Sequence, residues 1–237
     1  MHGNMLTVQA LSKNFGTLRA LDQVSLEIPR NTIAGIIGPN GAGKTTLLLG
    51  MAGLLPMDSG KFYWEDQFIS DRARSRILFY VADAIRPHGQ LPVGFVLRFY
   101  ASVFGRKRSV AEATIKRLNL QDFEQARVSD LSKGTAKRFL IAVGLLSTQP
   151  ILMLDEPFDG LDLKQVLEVI PLLQELSSAG RTLVLSIHQL RDAERACDQY
   201  ILLNTGKLVG QGTLSELETR SGCAPGSGLE QVFLRLV

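Results

Sequence analysis

The sequence predicts an α/β fold: a largely parallel sheet with crossover helices, an N-terminal antiparallel β subdomain and an inserted α-helical subdomain. Three observations predict it. Apolar and polar residues alternate over Leu6–Ile28, which is typical of half-exposed antiparallel strands. Short, continuous apolar runs recur at Ile33–Ile37, Ile151–Leu154 and Leu183–Ser186, as in buried parallel strands. The stretch 84–146 shows only helical spacing, so we expect the helical subdomain there.

The composition predicts a single folded unit inside the cell that does not cross a membrane. The chain has 237 residues, 45% of them hydrophobic, enough for one large domain with a subdomain. No apolar run reaches the roughly 18 residues of a membrane span, and Met1–Leu11 lacks the apolar core of a signal peptide. Cys197 and Cys223 have neither metal-ligand nor redox spacing, which indicates free thiols. The net charge of +3 is too small to indicate nucleic acid as a partner.

The antiparallel sheet is predicted from the alternation of its side chains. Leu6, Val8 and Ala10 fall on one face of the first strand, and Val24–Ile28 repeats the pattern in the second strand. Phe62–Trp64 follows a turn and is expected to add a further strand to this sheet.

The segment Ile33–Leu49 carries the most informative motif. Four positions fill the phosphate-loop pattern G-x-x-x-x-G-K-[ST]: Gly38, Gly43, Lys44 and Thr45. Glycines leave backbone N–H groups free to turn inward around phosphate oxygens, and the helix expected at Thr45–Leu54 adds a favourable dipole. Lys44 supplies a positive charge for the β- and γ-phosphates, and the Thr45 hydroxyl is a ligand for Mg²⁺. The motif therefore predicts binding of a nucleoside triphosphate.

The second half of the chain is predicted to be helical first and then a parallel sheet. Helical spacing occurs in three segments: Val93–Val103, Val110–Leu118 and Thr135–Leu146. A further helix is expected at Leu163–Leu176, and Pro171 inside it should kink or split it. Tyr200–Leu203 and Lys207–Gly210 are expected to form a hairpin.

A second phosphate-chemistry motif follows the strand Ile151–Leu154. An Asp at the end of such a strand holds Mg²⁺ in phosphate-loop enzymes, and Asp155 has this position. Glu156 is then placed to orient or deprotonate the attacking water. The acid pair therefore predicts hydrolysis rather than transfer of phosphate to a second substrate.

Three further segments, together with these motifs, resemble the ATP-binding proteins of ABC transporters. Phe158–Asp162 resembles the D-loop of that family, Ser186–His188 ends in its switch histidine, and Leu131–Thr135 resembles its signature motif. We call Leu131–Thr135 the signature segment. The resemblance covers residues 1–237 and implies one ABC-type ATP-binding domain. That domain has a RecA-like phosphate-loop core, and its helical subdomain lies at about 84–146.

The resemblance also implies roles for individual residues. Phe15 matches the aromatic residue that stacks on adenine. The residues that match the phosphate loop are Gly38, Pro39, Asn40, Gly41, Ala42, Gly43, Lys44, Thr45 and Thr46. Asp155 matches the metal-site acid, and Glu156 and His188 match the catalytic residues. Ser132 and Gly134 would complete the ATP site of the opposite subunit in a head-to-tail dimer.

The chain departs from the family pattern at three positions. Asp83 stands where the family usually has glutamine, Lys133 replaces a glycine of the signature motif, and Thr135 replaces its glutamine. Aspartate is a Mg²⁺ ligand, so we expect Asp83 to reach the metal site together with Thr45 and Asp155.

The predicted function is hydrolysis of ATP, with Mg²⁺, as the motor subunit of an ABC transporter. The resemblance implies a separate membrane-spanning permease subunit as partner, a homodimer or heterodimer of ATP-binding subunits, and a cytoplasmic position on the inner face of the membrane. The residues Asp83–Tyr100 are expected to dock on the membrane partner, and the tail Leu229–Leu234 resembles export-like members. Two alternatives stay open: a soluble, non-transport ABC ATPase acting on ribosomes or DNA, and a regulatory subunit with low turnover.

Overall fold

The computed structural model describes residues 4–83 and 85–237, so the predicted start of the helical subdomain at Ala84 lies outside the described residues. The strands are β1 (Asn4–Phe15), β2 (Leu18–Pro29), β3 (Ile33–Ile37), β4 (Ser59–Trp64), β5 (Gln67–Phe68), β6 (Leu78–Val81), β7 (Ile151–Asp155), β8 (Thr182–Ile187), β9 (Gln199–Asn204) and β10 (Lys207–Gly212). The helices are α1 (Lys44–Met51), α2 (Asp71–Arg74), α3 (Val93–Val103), α4 (Arg108–Arg117), α5 (Lys133–Leu146), α6 (Leu163–Ser178), α7 (Leu190–Ala196), α8 (Leu214–Ser221) and α9 (Gly228–Leu236).

The central sheet has the strand order β10-β9-β3-β8-β7-β6. Neighbours are parallel throughout except for β10, which pairs antiparallel with β9. Every residue of β3, β7 and β8 is buried, which explains their uninterrupted apolar sequences. Because parallel strands end at the same edge, the residues after β3, β6, β7 and β8 come together there.

The second sheet is antiparallel, with the order β2-β1-β4-β5. The prediction that Ala10 shares the inner face with Leu6 and Val8 is wrong, because Ala10 is exposed. Its φ of 49° marks a bulge, and the pairing register with β2 shifts between Val8 and Leu11. The extra residue changes the alternation, and Leu11 takes the buried place.

The helices between the predicted limits of the subdomain are α3, α4 and α5, close to the predicted segments. Helix α6 runs through Pro171 as one helix, so the prediction of a split at this residue is wrong. Proline removes the bond to the carbonyl four residues earlier, at Leu167. Leu167 is exposed, so water is available to that carbonyl.

The central sheet separates two apolar cores. Strand β3 contributes Ile33 and Ile37 to the core beneath α3–α6, and Ala34 and Ile36 to the core shared with the antiparallel sheet and α1. This alternation is the period of two expected for a strand covered on both faces. The α/β fold with its two sheets is therefore as predicted. Within the described ranges, none of the helices combines the length and apolar character that a bilayer crossing requires.

Candidate functional site

The phosphate loop, Gly38–Thr46, joins the end of β3 to the start of α1. Lys44 is buried, and its Nζ donates to the carbonyl oxygens of Gly38 at 2.8 Å and Pro39 at 3.2 Å. Burial lowers the pKa of the Lys44 ammonium, while the nearby carboxylates of Glu156 and Asp155 act in the opposite direction. The ammonium is thus held inside the loop by carbonyl groups that a phosphate can replace.

Two glycines of the loop are required by close backbone approach. Gly43 has a φ of 99°, and a Cβ there would lie 2.6 Å from the carbonyl oxygen of Ala20. A Cβ on Gly38 would lie 2.3 Å from the carbonyl oxygen of Leu203. The loop therefore packs against β2 and the β9–β10 hairpin through bare backbone, which a side chain at either glycine would disrupt.

A cleft of about 410 Å³ opens above the phosphate loop. Predicted site residues that line it are Phe15, Asn40, Gly41, Gly43, Lys44, Thr45, Thr46 and Glu156. Four other lining residues belong to no motif recognised in the sequence: Leu18, Arg19, Ala20 and Thr205. They lie in the β1–β2 and β9–β10 hairpins, whose place beside the loop depends on sheet order rather than on a local motif. Phe15 is 48% exposed, with the Lys13 ammonium 5.4 Å from its ring centroid.

Asp155 ends β7 as a buried carboxylate that two hydroxyl groups hold. Tyr80 donates to its Oδ2 at 3.0 Å, and Ser186 donates a short hydrogen bond to its Oδ1. Burial and the Asp155 charge raise the pKa of the Tyr80 hydroxyl, so Tyr80 stays a donor at neutral pH. Both hydroxyls come from neighbouring strands, β6 and β8. They fix the orientation of Asp155, and the sequence motif did not identify either of them.

Glu156 is held in an unusual backbone conformation. Its φ is 47°, in the left-handed region that residues with a Cβ seldom adopt. Its N–H donates to Ser186 Oγ at 2.8 Å, and its Oε2 lies 4.0 Å from Nδ1 of His188. Such strain is typical of a residue placed for function. Glu156 therefore faces the cleft on one side and His188 on the other.

Asp83 and Asp159 lie close to Glu156. One carboxylate oxygen from each of the three acids lies within 4.8 Å of the others. Asp83 Oδ1 is 2.5 Å from the ammonium of Lys137, and Asp159 Oδ2 is 2.7 Å from that of Lys133. The bond from Lys133 lowers the pKa of Asp159. Two of the positions where the chain departs from the family pattern, Asp83 and Lys133, thus carry ion pairs.

The signature segment leads into α5. Ser132 caps the helix, because its Oγ accepts from the backbone N–H of Thr135 at 3.3 Å. A Cβ on Gly134 would lie 2.9 Å from the carbonyl oxygen of Gly160, so this segment packs closely on Phe158–Asp162. Neither Ser132 nor Gly134 lines the cleft above Lys44.

The residues present have the chemistry of a magnesium site. Thr45 offers a hydroxyl and Asp155 a carboxylate, the hard oxygen ligands that Mg²⁺ prefers. Asp155 is buried and oriented by hydrogen bonds on both oxygens, which still have lone pairs for a metal or for its water shell. Asp83 has only its second oxygen free of the bond to Lys137.

Comparison with known proteins agrees with this geometry. The family model described as ABC transporter matches residues 21–159. The chain is 30% identical over 231 residues to the Nod factor export ATP-binding protein I of Ralstonia nicotianae, covering 92% of this chain and 70% of that protein. It is 31% identical over 242 residues to a phosphonates import ATP-binding protein of Caulobacter vibrioides, covering 90% of each.

A solved structure of an ATP-binding subunit of an ABC transporter is also similar. It has a TM-score of 0.86 and 26% sequence identity, and the match covers 98% of this chain and 99% of that one. The predicted RecA-like core with its antiparallel and helical parts is the fold of this structure. From the cleft, the family match over more than half of the chain and these relatives, we conclude that the chain belongs to the ABC transporter family, as an ATP-binding subunit with ATPase activity.

Proposed function

We propose that this ATPase drives export through a separate membrane-spanning permease subunit, on the cytoplasmic face of the membrane. One observation carries the catalytic part: Glu156 lines the same cleft as Lys44 and Thr45. We propose that residues 1–237 act as one ABC-type domain whose helical subdomain spans about 84–146. In its support, helices α3, α4 and α5 share one apolar core with the central sheet.

ATP binding uses the cleft from end to end. Phe15, half exposed at the end of β1, stacks on adenine. Lys44 exchanges the carbonyls of Gly38 and Pro39 for the β- and γ-phosphates. The free N–H groups of the loop and the start of α1 take the remaining phosphate oxygens.

Hydrolysis depends on Glu156. Its carboxylate orients a water for attack on the γ-phosphate and accepts the proton that this water loses. His188 lies 4.0 Å from Glu156 and lines a neighbouring pocket with Gly38 and Asn40 of the phosphate loop, and its proposed role is to contact the γ-phosphate. Thr45 and Asp155, with Asp83 as a further oxygen ligand, would hold Mg²⁺, and the bound ion would neutralise charge on the β- and γ-phosphates.

Two subunits are needed to complete each site. Ser132 and Gly134 lie outside the cleft of their own chain, and they begin a helix whose N-terminus favours an anion. We propose that they bind the γ-phosphate held by an opposite subunit, in a homodimer or heterodimer.

An apolar face on α3 suits the membrane partner. In the segment Asp83–Tyr100, which is predicted to dock on that partner, Val93 and Val96 are buried core, whereas Phe95 is 55% and Phe99 45% exposed. The His88 ring lies 5.6 Å from the Phe99 ring and adds a polar edge. The direction of transport is proposed as export from the tail sequence and from the relative named for export.

Replacing Glu156 with glutamine tests the catalytic proposal. The variant keeps size and shape but loses the base, so hydrolysis should slow by about 100-fold or more while ATP affinity is retained. Turnover is measured by phosphate release and affinity by calorimetry. Glu230→Gln, an exposed glutamate on α9, is the matched control and should behave as wild type.

The same variant tests the shared site. With ATP bound but not hydrolysed, Glu156→Gln should elute as a dimer in gel filtration, and Glu230→Gln as a monomer. An unchanged rate in Glu156→Gln would exclude Glu156 as the base. A wild-type chain that binds ATP tightly but turns over no faster than Glu156→Gln would favour the regulatory subunit. Copurification with ribosomes rather than with a membrane protein would favour the non-transport ATPase.

A further inference from the structure

Helix α5 contains two lysines, Lys133 and Lys137, and each forms an ion pair with a carboxylate from another part of the chain. They are four positions apart and therefore lie on the same face of the helix. Lys133 reaches Asp159 and Lys137 reaches Asp83. The two pairs differ in burial, because the Lys133 side chain is 65% exposed and that of Lys137 only 5%. Solvent screens the first pair, whereas the ammonium of Lys137 depends on its partner.

The Lys137 pair is beside the proposed catalytic base. Asp83, Glu156 and Asp159 bring carboxylate oxygens within 4.8 Å of one another, and three such charges without cations would repel. Each acid has a basic group within 4.0 Å: Lys137 for Asp83, Lys133 for Asp159 and His188 for Glu156. Lys137 is the buried member of this set. The small cavity that it lines is otherwise formed mainly by apolar residues of β6, α5 and β7, together with Asp155.

We infer that Lys137 is a positioning residue for hydrolysis: its buried ammonium holds Asp83 beside Glu156 and ties the start of α5 to the end of β6. The inference rests on the proposed function of Glu156. Helix α5 begins at the signature segment, which we propose binds the ATP of the opposite subunit. The Lys137–Asp83 pair therefore connects that segment to the surroundings of Glu156, the proposed base of the chain's own site. Lys137 itself contacts neither the cleft nor the phosphate loop.

Removing Lys137 and removing Asp83 should leave the remaining partner in different positions. Asp83 is 36% exposed, so without Lys137 its carboxylate turns towards solvent and loses its place beside Glu156. The Lys137 side chain is buried and cannot turn towards solvent. Without Asp83 its ammonium therefore stays buried, where a bond to another acid is favourable. Glu156 and Asp159 have oxygens within 4.8 Å of the carboxylate that Asp83 loses, and Asp155 lines the same small cavity as Lys137. A new bond from Lys137 to one of these acids would disturb the arrangement around the base. Both single changes should therefore slow the chemical step.

A double-mutant cycle tests the inference. The variants are Lys137→Gln, Asp83→Asn and the two together, each compared for kcat, KM for ATP, ATP affinity and melting temperature. Each single variant should lower kcat by about tenfold, a coupling typical of contacting residues, with KM and affinity within about twofold of wild type. The double variant has no unpaired buried ammonium, so its loss of kcat should be smaller than the product of the two single losses.

Arg74→Gln is the matched control for stability. Arg74 is also a buried cation paired with one acid, Asp71, but it packs under the Phe62 ring and does not line the cleft. It should lower the melting temperature without changing kcat. If Lys137→Gln does not fold, Asp83→Asn and the double variant, which removes the buried charge, still decide the question.

Wild-type kcat in the single variants, or losses that simply add in the double variant, would overturn the inference while leaving the proposed function intact. A wild-type chain without turnover would overturn the proposed function and the inference with it. A loss of kcat in both single variants, with a double-variant loss smaller than their product, supports the pair.

Discussion

The phosphate loop and the signature segment are both glycine-containing loops that open a helix, but they are built in opposite ways. In the phosphate loop Lys44 turns inward, is buried, and donates to carbonyls of its own loop. No side chain caps α1, which starts after the left-handed Gly43. In the signature segment Lys133 turns outward and is mostly exposed, and Ser132 caps α5.

This difference fits the division of work that we propose for a shared site. The phosphate loop lines a cleft in its own chain, together with Phe15 and Glu156. The signature segment lines no part of that cleft, and its serine caps its own helix. On this proposal the first loop binds ATP by itself, whereas the second contributes only when a second subunit supplies the phosphate.

The largest effect is expected from breaking the phosphate loop. Lys44→Ala removes the buried ammonium and its charge-assisted bonds to phosphate, so ATP affinity should fall by about 100-fold or more. Calorimetry on the purified chain measures this directly. Lys164→Ala, an exposed lysine on α6, should leave affinity unchanged. Equal affinities for wild type and Lys44→Ala would place the triphosphate elsewhere.

Breaking the signature segment should affect assembly rather than binding. Ser132→Ala should keep the ATP affinity of the single chain but weaken the ATP-driven dimer by about 10- to 100-fold, because one bond to charged phosphate is lost at each of two sites. The measurement is gel filtration in the Glu156→Gln background.

The cap itself needs a separate control in this experiment. Ser132→Ala also loses a helix cap, which costs about 1 kcal/mol of stability. Thr213 has the same capping role at α8, where it accepts from the N–H of Glu216 at 3.3 Å. Thr213→Ala should therefore lose similar stability without weakening the dimer. If both variants weaken the dimer equally, the effect belongs to the caps and not to phosphate binding.

The smallest effect is expected at the adenine end of the cleft. Phe15 is half exposed, so stacking on adenine should contribute about 1 kcal/mol, and Phe15→Ala should weaken ATP binding by about fivefold. Phe68→Ala, at another exposed phenylalanine of the antiparallel sheet, is the control. The same fivefold loss should appear with ADP, because the base is shared. A loss seen with ATP alone would contradict stacking.

Much of the candidate site was predictable because its motifs are local. The phosphate loop needs bare backbone and a lysine within a few positions, and the acid pair needs only to follow a buried strand. The partners of those residues were not predictable in this way. Tyr80 bonds Asp155 across 75 positions, and Lys137 bonds Asp83 across 54. Neither pair has a sequence signature, because it depends on which strands and helices become neighbours.

The α/β class, most of the element types and the candidate phosphate-binding residues could be predicted from the sequence, because helical and strand periodicity and glycine conformation act over short distances. The strand order β10-β9-β3-β8-β7-β6, the bulge that turns Ala10 outward and the pairing of the charges around Glu156 became visible only in the folded chain. Long crossover connections allow many strand orders, and the energy of a buried charge depends on what packs against it in the final fold.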